Sequence, residues 1–333
     1  MPELRFNPIS REWVIIATER AKRPGEFMHV RMNHRAPPAY LNTCPFCAGN
    51  EHKTSEERLR VNGDKGAWKI RVVANSYPAL SPVGDKKRTG DVLKRLVTGV
   101  GVHEVIVESP KHDIPTALLD LKHLEELIQI YRDRFIEAGK DERAEHVIVF
   151  KNSGEGAGTT IEHPHTQVIA TPIVPVQFRE RVQAAMQYYD DTGECLSCAV
   201  LRREKDEGSR VIFETERFLT FIPYAALSPF HTWIFPKRHC ASFAGITDIE
   251  AVDMARHLKT LLSKFHWGLD NPDFNYVIRS SRPHDAANDY CHWYMSVMPR
   301  LSKVAGFELG SGIYINSAMP EESAEFLRQA RME

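Results

Sequence analysis

The stretch HEVIVESPKH, residues 103–112, recurs in altered form as HTWIFPKRH at residues 231–239, and the surroundings of the two copies decide the fold. Each copy is an apolar, β-prone run ending in Pro-Lys and a histidine, which reads as a strand followed by a turn. Each is followed by a second histidine, His163 in EHPHTQVIATP (162–172) and His292 in CHWYMSVMPR (291–300). The separations nearly agree: 51 residues from His112 to His163, and 53 from His239 to His292. Each copy is also preceded by a CxxC pair, Cys44 and Cys47 in NTCPFCAGN and Cys195 and Cys198 in GECLSCAV. One unit occurs twice in the chain.

Between the paired histidines, Leu121, Leu124, Ile128, Tyr131 and Phe135 keep helical spacing in the first unit, and Val252, Ala255, Leu258, Leu262 and Phe265 in the second. Thr247 with Glu250 predicts a capping box at the start of the second helix. EHVIVFKN and FNYVIRSS read as the buried strands that follow. Residues 176–193, with Val182, Met186 and Tyr189 on one stripe, read as a helix joining the halves, ended by YYDDTG.

Composition narrows the classes of function. The 333 residues are 42% hydrophobic and 26% charged, ordinary globular values that leave room for two domains. Lys and Arg (43) almost cancel Asp and Glu (44), so no overall field recruits nucleic acid or an anionic membrane. The opening MPELRFNPISREW shows no charged segment followed by an apolar one, and no run approaches the length of a spanning helix, so a cytoplasmic protein is expected. Six cysteines there favour metal binding or catalysis over a disulfide framework.

A CxxC pair grips one face of a tetrahedral ion, and two histidines from neighbouring strands complete the shell. Two zinc sites are expected: Cys44, Cys47, His112 and His163 in the first half, and Cys195, Cys198, His239 and His292 in the second. A single CxxC is equally well a redox pair or a surface accident; two, each with matched histidines, favour zinc in a structural role. Cys240 and Cys291, each beside a ligand, are read as small apolar residues.

If His163 is a ligand, His165 is free to react. A neutral imidazole attacks phosphorus readily when its other nitrogen is tied to a carbonyl. Upstream, FKNSGEGAGTT offers Gly154, Gly156 and Gly158, whose backbone N–H groups approach a polyanion closely, with Asn152 and Ser153 as side-chain donors. Alone, that segment is equally a surface turn.

Together, HPHTQ after a glycine loop, the N-terminal CxxC and SPKH resemble the galactose-1-phosphate uridylyltransferase family, a branch of the histidine-triad superfamily, over nearly the whole chain. The resemblance implies an α+β fold: tandem histidine-triad-like repeats whose sheets form one half-barrel with outer helices. It places a catalytic repeat at residues 1–190 and a repeat lacking the nucleophile at 191–333, since Trp293 and Tyr294 stand where the first half has Pro164 and His165. It implies a ping-pong reaction through a nucleotidyl-His165, with Gln167 binding the transferred phosphate. Glutamine cannot shuttle a proton, so transfer rather than hydrolysis is expected. It further assigns Asn75 to the nucleotide, and Arg20, Lys22 and Arg23 of ERAKRP to a sugar phosphate, often across a homodimer. Asn75 also reads as a turn cap and the basic residues as a solvated face.

The leading expectation is transfer of UMP between UDP-glucose and galactose 1-phosphate. The second CxxC resembles the plant-type branch, whose members include an ADP-glucose phosphorylase using inorganic phosphate. AGFELGSG, with Phe307, Glu308 and the glycines 306, 310 and 312, is read as a backbone-rich acceptor turn. An alternative of another class is a zinc-stabilised nucleotide-binding protein without turnover.

Overall fold

The computed structural model describes residues 1–17, 37–63, 66–282, 285 and 287–332. Its frame is a ten-stranded antiparallel sheet. In the first half the strands are β3 (Glu57–Asn62), β4 (Trp68–Ala74), β7 (Val102–Val107), β8 (His146–Ser153) and β9 (His165–Thr171), with helix α1 (Leu121–Gly139) between β7 and β8. The second half repeats them as β10 (Val211–Glu214), β11 (Phe218–Phe221), β12 (Thr232–Pro236), β13 (Phe274–Arg279) and β14 (Tyr294–Pro299), with α4 (Asp248–Gly268) between β12 and β13. The order β10-β11-β12-β14-β13-β8-β9-β7-β4-β3 is the same five-strand pattern read outward from the centre in both directions. β8 and β13 meet at that centre, with Val277 opposite Phe150 and Asn275 opposite Asn152.

Alternation along the strands sorts side chains to two faces. On one face, Val168 and Ala170 of β9, Val147 and Val149 of β8, and Met295 and Val297 of β14 join Leu124, Tyr131 and Phe135 of α1 and Leu258, Leu262 and Phe265 of α4 in a single core. The periodicity of both helices is therefore their buried stripe, and α4 carries the expected capping box: Glu250 N–H donates to Thr247 Oγ1 at 3.2 Å, and Thr247 N–H to Glu250 Oε2 at 2.9 Å. The opposite face carries His165 and Gln167 in the first half.

Two features depart from the expected plan. Helices α2 (Val176–Thr192) and α3 (Leu196–Glu207) do not join the outer layer. Leu196 and Leu201 of α3 pack on Phe221, Trp233, Phe235 and Tyr294, covering the opposite face over the second half. β1 (Glu3–Phe6) and β2 (Trp13–Ile16) form a three-stranded sheet with β15 (Tyr314–Asn316), β2 running parallel to β15. The chain's first strands are thus packed on its last elements, where Arg5 bridges to Glu321 of α6 (Pro320–Gln329) at 2.8 Å. Among the described residues, a two-stranded ribbon, β5 (Arg88–Gly90) and β6 (Arg95–Val97), completes the strands, and α5 (Gly306–Ser311) the α-helices.

Candidate functional site

The histidines expected to act together do meet. Cys44, Cys47, His112 and His163 bring one ligand atom each to within 4.8 Å of one another, and so do Cys195, Cys198, His239 and His292. A tetrahedral ion with bonds of about 2.3 Å to sulfur and about 2.0–2.1 Å to nitrogen sets S···N edges near ~3.5 Å. Cys47 Sγ lies 3.5 Å from His112 Nδ1 and 3.7 Å from His163 Nδ1, and Cys198 Sγ lies 3.4 Å from Nδ1 of both His239 and His292. The far nitrogens explain why Nδ1 points inward. His163 Nε2 donates to Ser109 O (2.7 Å), His239 Nε2 to Asn288 O (3.1 Å) and His292 Nε2 to Pro236 O (3.0 Å). A carbonyl only accepts, so these bonds leave the Nδ1 lone pairs free for an ion. Burial pushes the Cys44 thiol up to about 11. A bound cation would have to displace that proton.

The first cluster adjoins His165. β9 begins at His165, whose Nδ1–H donates to the carbonyl of His163 at 2.8 Å, and among the described residues nothing hydrogen-bonds Nε2. The ring is 7% exposed and lies 5.3 Å from that of Phe46, held between the two cysteines of the first CxxC. Burial, helped by the Lys151 charge, pushes His165 down to about 4. At neutral pH it is therefore an uncharged imidazole with a free Nε2 lone pair, the form a nucleophile needs.

Beneath it lies an ion pair that sequence reasoning missed. Lys151 Nζ donates to Glu108 Oε1 at 2.7 Å and to the His165 carbonyl at 3.0 Å. Glu108 also accepts from Thr166 Oγ1 (2.6 Å) and Thr116 Oγ1 (2.7 Å), and the Tyr131 and Tyr276 hydroxyls, 2.6 Å apart, close the network. Burial works to raise the Glu108 carboxyl, but Lys151 and these donors bring it below its ordinary value, so the pair is ionised.

Gln167 is aimed by a residue that only the opening motif hinted at. The Ala79 N–H donates to His103 Nδ1 at 3.0 Å, so His103 carries its proton on Nε2 and donates it to Gln167 Oε1 at 2.8 Å. That bond occupies the amide oxygen and leaves the Gln167 NH2 to meet an anion. Asn75 stands beside the pair, its Oδ1 accepting from Tyr77 N–H at 2.9 Å; its NH2, 3.0 Å from the His103 Nε2–H, meets a donor there and is left for another acceptor.

The glycine loop is held from the second half. Asn275 Nδ2 donates to Asn152 Oδ1 (2.8 Å) and to the Ala157 carbonyl (2.9 Å), turning the Asn152 NH2 outward. Asp273 Oδ2 accepts from Gly156 N–H at 2.8 Å. Gly154, at φ +87°, has no room for a side chain: an added Cβ would sit 1.6 Å from Asp273 Oδ1. Ser153, at the end of β8, leads into this turn, and Gly158, at φ +85°, closes it.

The acceptor segment is corrected: AGFELGSG is not a turn but the short helix α5, closed by Gly312 at φ +72°. Glu308 caps it, accepting from Ala305 N–H at 3.0 Å, and Phe307 is exposed. Among the described residues, no hydrogen bond or ring contact joins either to His165. Arg20, Lys22 and Arg23 lie outside the described residues. No helix among them is long and apolar enough to cross a membrane.

Known proteins resemble this chain over its whole length. The profile of the galactose-1-phosphate uridyl transferase N-terminal domain matches residues 1–175, and that of the C-terminal domain residues 181–329. An ADP-glucose phosphorylase of Arabidopsis thaliana is 35% identical over 99% of this chain and 93% of its own. A galactose-1-phosphate uridylyltransferase of Thermotoga maritima is 28% identical over the full length of both. The crystal structure of an Arabidopsis thaliana ADP-glucose phosphorylase with bound ADP-glucose superposes with a TM-score of 0.83, at 32% identity and 100% coverage of both chains. A uridylyltransferase mutant gives 0.75 at 25% identity, covering 98% of this chain and 97% of that one. Profiles matched over both halves, in the order the duplication requires, show that the chain belongs to the galactose-1-phosphate uridyl transferase family.

Proposed function

We propose that this protein is a nucleotidyltransferase in which His165 Nε2 attacks the α-phosphorus of a nucleoside diphosphate sugar. The P–N bond forms as the bond to the sugar phosphate breaks, and an acceptor oxygen then takes the nucleotidyl group and frees the histidine. The carrying observation is the His165 Nδ1–H bond to the His163 carbonyl, which fixes the tautomer and supports positive charge as Nε2 is substituted. Gln167 and Asn152, their amide oxygens already engaged, present NH2 groups to the phosphoryl oxygens; the glycine loop serves by holding Asn152, since its own Gly156 N–H is taken by Asp273 and its Gly158 N–H by the Glu155 carbonyl. Both Cys2His2 clusters are assigned to structural zinc. The first would hold Phe46 against His165, and neither offers an open position for chemistry. The repeat at residues 1–190 carries the reaction and that at 191–333 buttresses it. In a homodimer in the cytoplasm, Arg20 and Arg23 would reach the sugar phosphate across the interface, while Phe307 and Glu308 would serve the acceptor.

The donor we favour is ADP-glucose, with inorganic phosphate as acceptor. This rests on the similarity to the Arabidopsis phosphorylase and on the second CxxC cluster. The second reading, UMP exchange between UDP-glucose and galactose 1-phosphate, is favoured by the full-length similarity to the Thermotoga enzyme. Intact-protein mass after incubation with either nucleotide sugar, without acceptor, separates them. An AMP adduct lost in His165→Gly supports the first, a UMP adduct the second. No adduct and no exchange with either would leave a nucleotide-binding protein without turnover.

A further inference from the structure

A cavity of about 230 Å³ lies in the second half, at the counterpart of the His165 site. Tyr294 occupies the place of His165, two residues after the histidine of its cluster. Arg279, paired with Tyr294 across β13 and β14, occupies the place of Asn152. Arg181 of α2 and His146 of β8 also line it, beside Gln177, Ser280, Ser281 and His292, with Phe178 and Val182 of α2 supplying an apolar wall.

These groups are short of hydrogen-bond partners among the described residues. Tyr294 is 4% exposed, its ring stacked on Phe235 at 4.6 Å, and its hydroxyl makes no hydrogen bond among the described residues. His146 is 7% exposed and its Nδ1 is buried without a partner, as is Arg181 Nε. Among the described residues Arg279 donates no hydrogen bond; burial and the neighbouring Arg181 lower its basicity, opposed by Tyr294 and Glu12. Glu12 Oε1 stands 3.9 Å from Arg181 Nη2 and also acts on Arg279, so this negative charge is shared between two guanidinium groups. Buried donors without acceptors are costly, and paired guanidinium groups match the oxygens of phosphate.

We propose that this cavity binds a phosphate group, either inorganic phosphate or the head of a phosphate monoester, through Arg181, Arg279, His146 Nδ1 and the Tyr294 hydroxyl. The site binds without reacting, because a tyrosine stands where the nucleophile would be. It does not depend on His165 being reactive.

Equilibrium dialysis of the zinc-loaded full chain against radiolabelled inorganic phosphate tests it. Arg279→Gln and Arg181→Gln should each bind one equivalent fewer than the parent protein, while melting within a few degrees of it without phosphate. If one variant does not fold, the other decides. Competition by glucose 1-phosphate for the equivalent lost in Arg279→Gln identifies a monoester as the occupant, and its failure to compete identifies inorganic phosphate. Equal phosphate binding by a folded variant and the parent would overturn the proposal.

Discussion

Replacing Lys151 by methionine removes the ammonium that neutralises Glu108 beneath His165. Lys151 is 1% and Glu108 0% exposed, and the two are 2.7 Å apart. At an effective dielectric of about 20, unit charges at that distance attract by roughly 6 kcal/mol. The loss cannot reach that figure, because the stranded carboxylate can take up a proton. For a carboxyl with an ordinary value of 4.5, each pH step above that value costs about 1.36 kcal/mol, so protonation costs roughly 3.4 kcal/mol at pH 7 and about 1.4 at pH 5.5. The folded variant then binds one more proton than its unfolded chain, so acid narrows its gap to the parent protein. Urea denaturation of zinc-loaded protein should show a deficit of about 3 kcal/mol at pH 7 and about half that at pH 5.5. Adding Glu108→Gln should recover part of the loss, since no charge remains to strand. A deficit unchanged between the two pH values, or below about 1 kcal/mol at pH 7, would refute the assignment of an ionised pair.

Gly154→Ala forces a Cβ onto Asp273 and should displace the loop at Gly156. We expect at least a tenfold loss in kcat/KM for nucleotidyl transfer, with about 1–2 kcal/mol of destabilisation from the left-handed backbone, read by steady-state kinetics and urea titration; full activity would remove the loop from the site. Stripping metal with a chelator should lower Tm by about 5 °C or more, reversed by added zinc, because an ion bound at about a hundred times its Kd adds about 2.7 kcal/mol. Calorimetry with parallel metal analysis checks this, and identical melting with and without zinc would count against both clusters.

The two clusters are legible in the sequence through repeated spacings: two CxxC pairs, each with a matched pair of histidines, name all eight residues that the fold brings together. His165 was legible through its neighbour His163. The buried ion pair was not. Glu108 sits in a strand-end motif and Lys151 in a polar strand terminus, and only the sheet register brings them under His165. Asn275 and Asp273 escaped for the same reason, since they support the glycine loop from the other half across the β8–β13 pairing. The glycines near 310 were read as a turn, yet Gly306 opens and Gly312 closes a helix, whose Glu308 points back to its own N-terminus. α2 was placed correctly, but with no fully buried residue its stripe did not reveal which face it covers.

The pairing of β8 with β13 has a consequence for any attempt to divide the molecule. Cutting the chain in the α2 linker would turn a central ladder into two bare margins, each with unsatisfied backbone donors and acceptors flanked by apolar side chains. The register allows each margin to accept an antiparallel mate, so an isolated half has a ready template in another copy of itself. Such fragments are expected to rebuild the missing ladder as symmetric pairs or to aggregate, rather than persist as separate folded units. The duplicated unit is in that sense a dimer made permanent by covalent connection, and once the copies were joined their sequences were free to diverge.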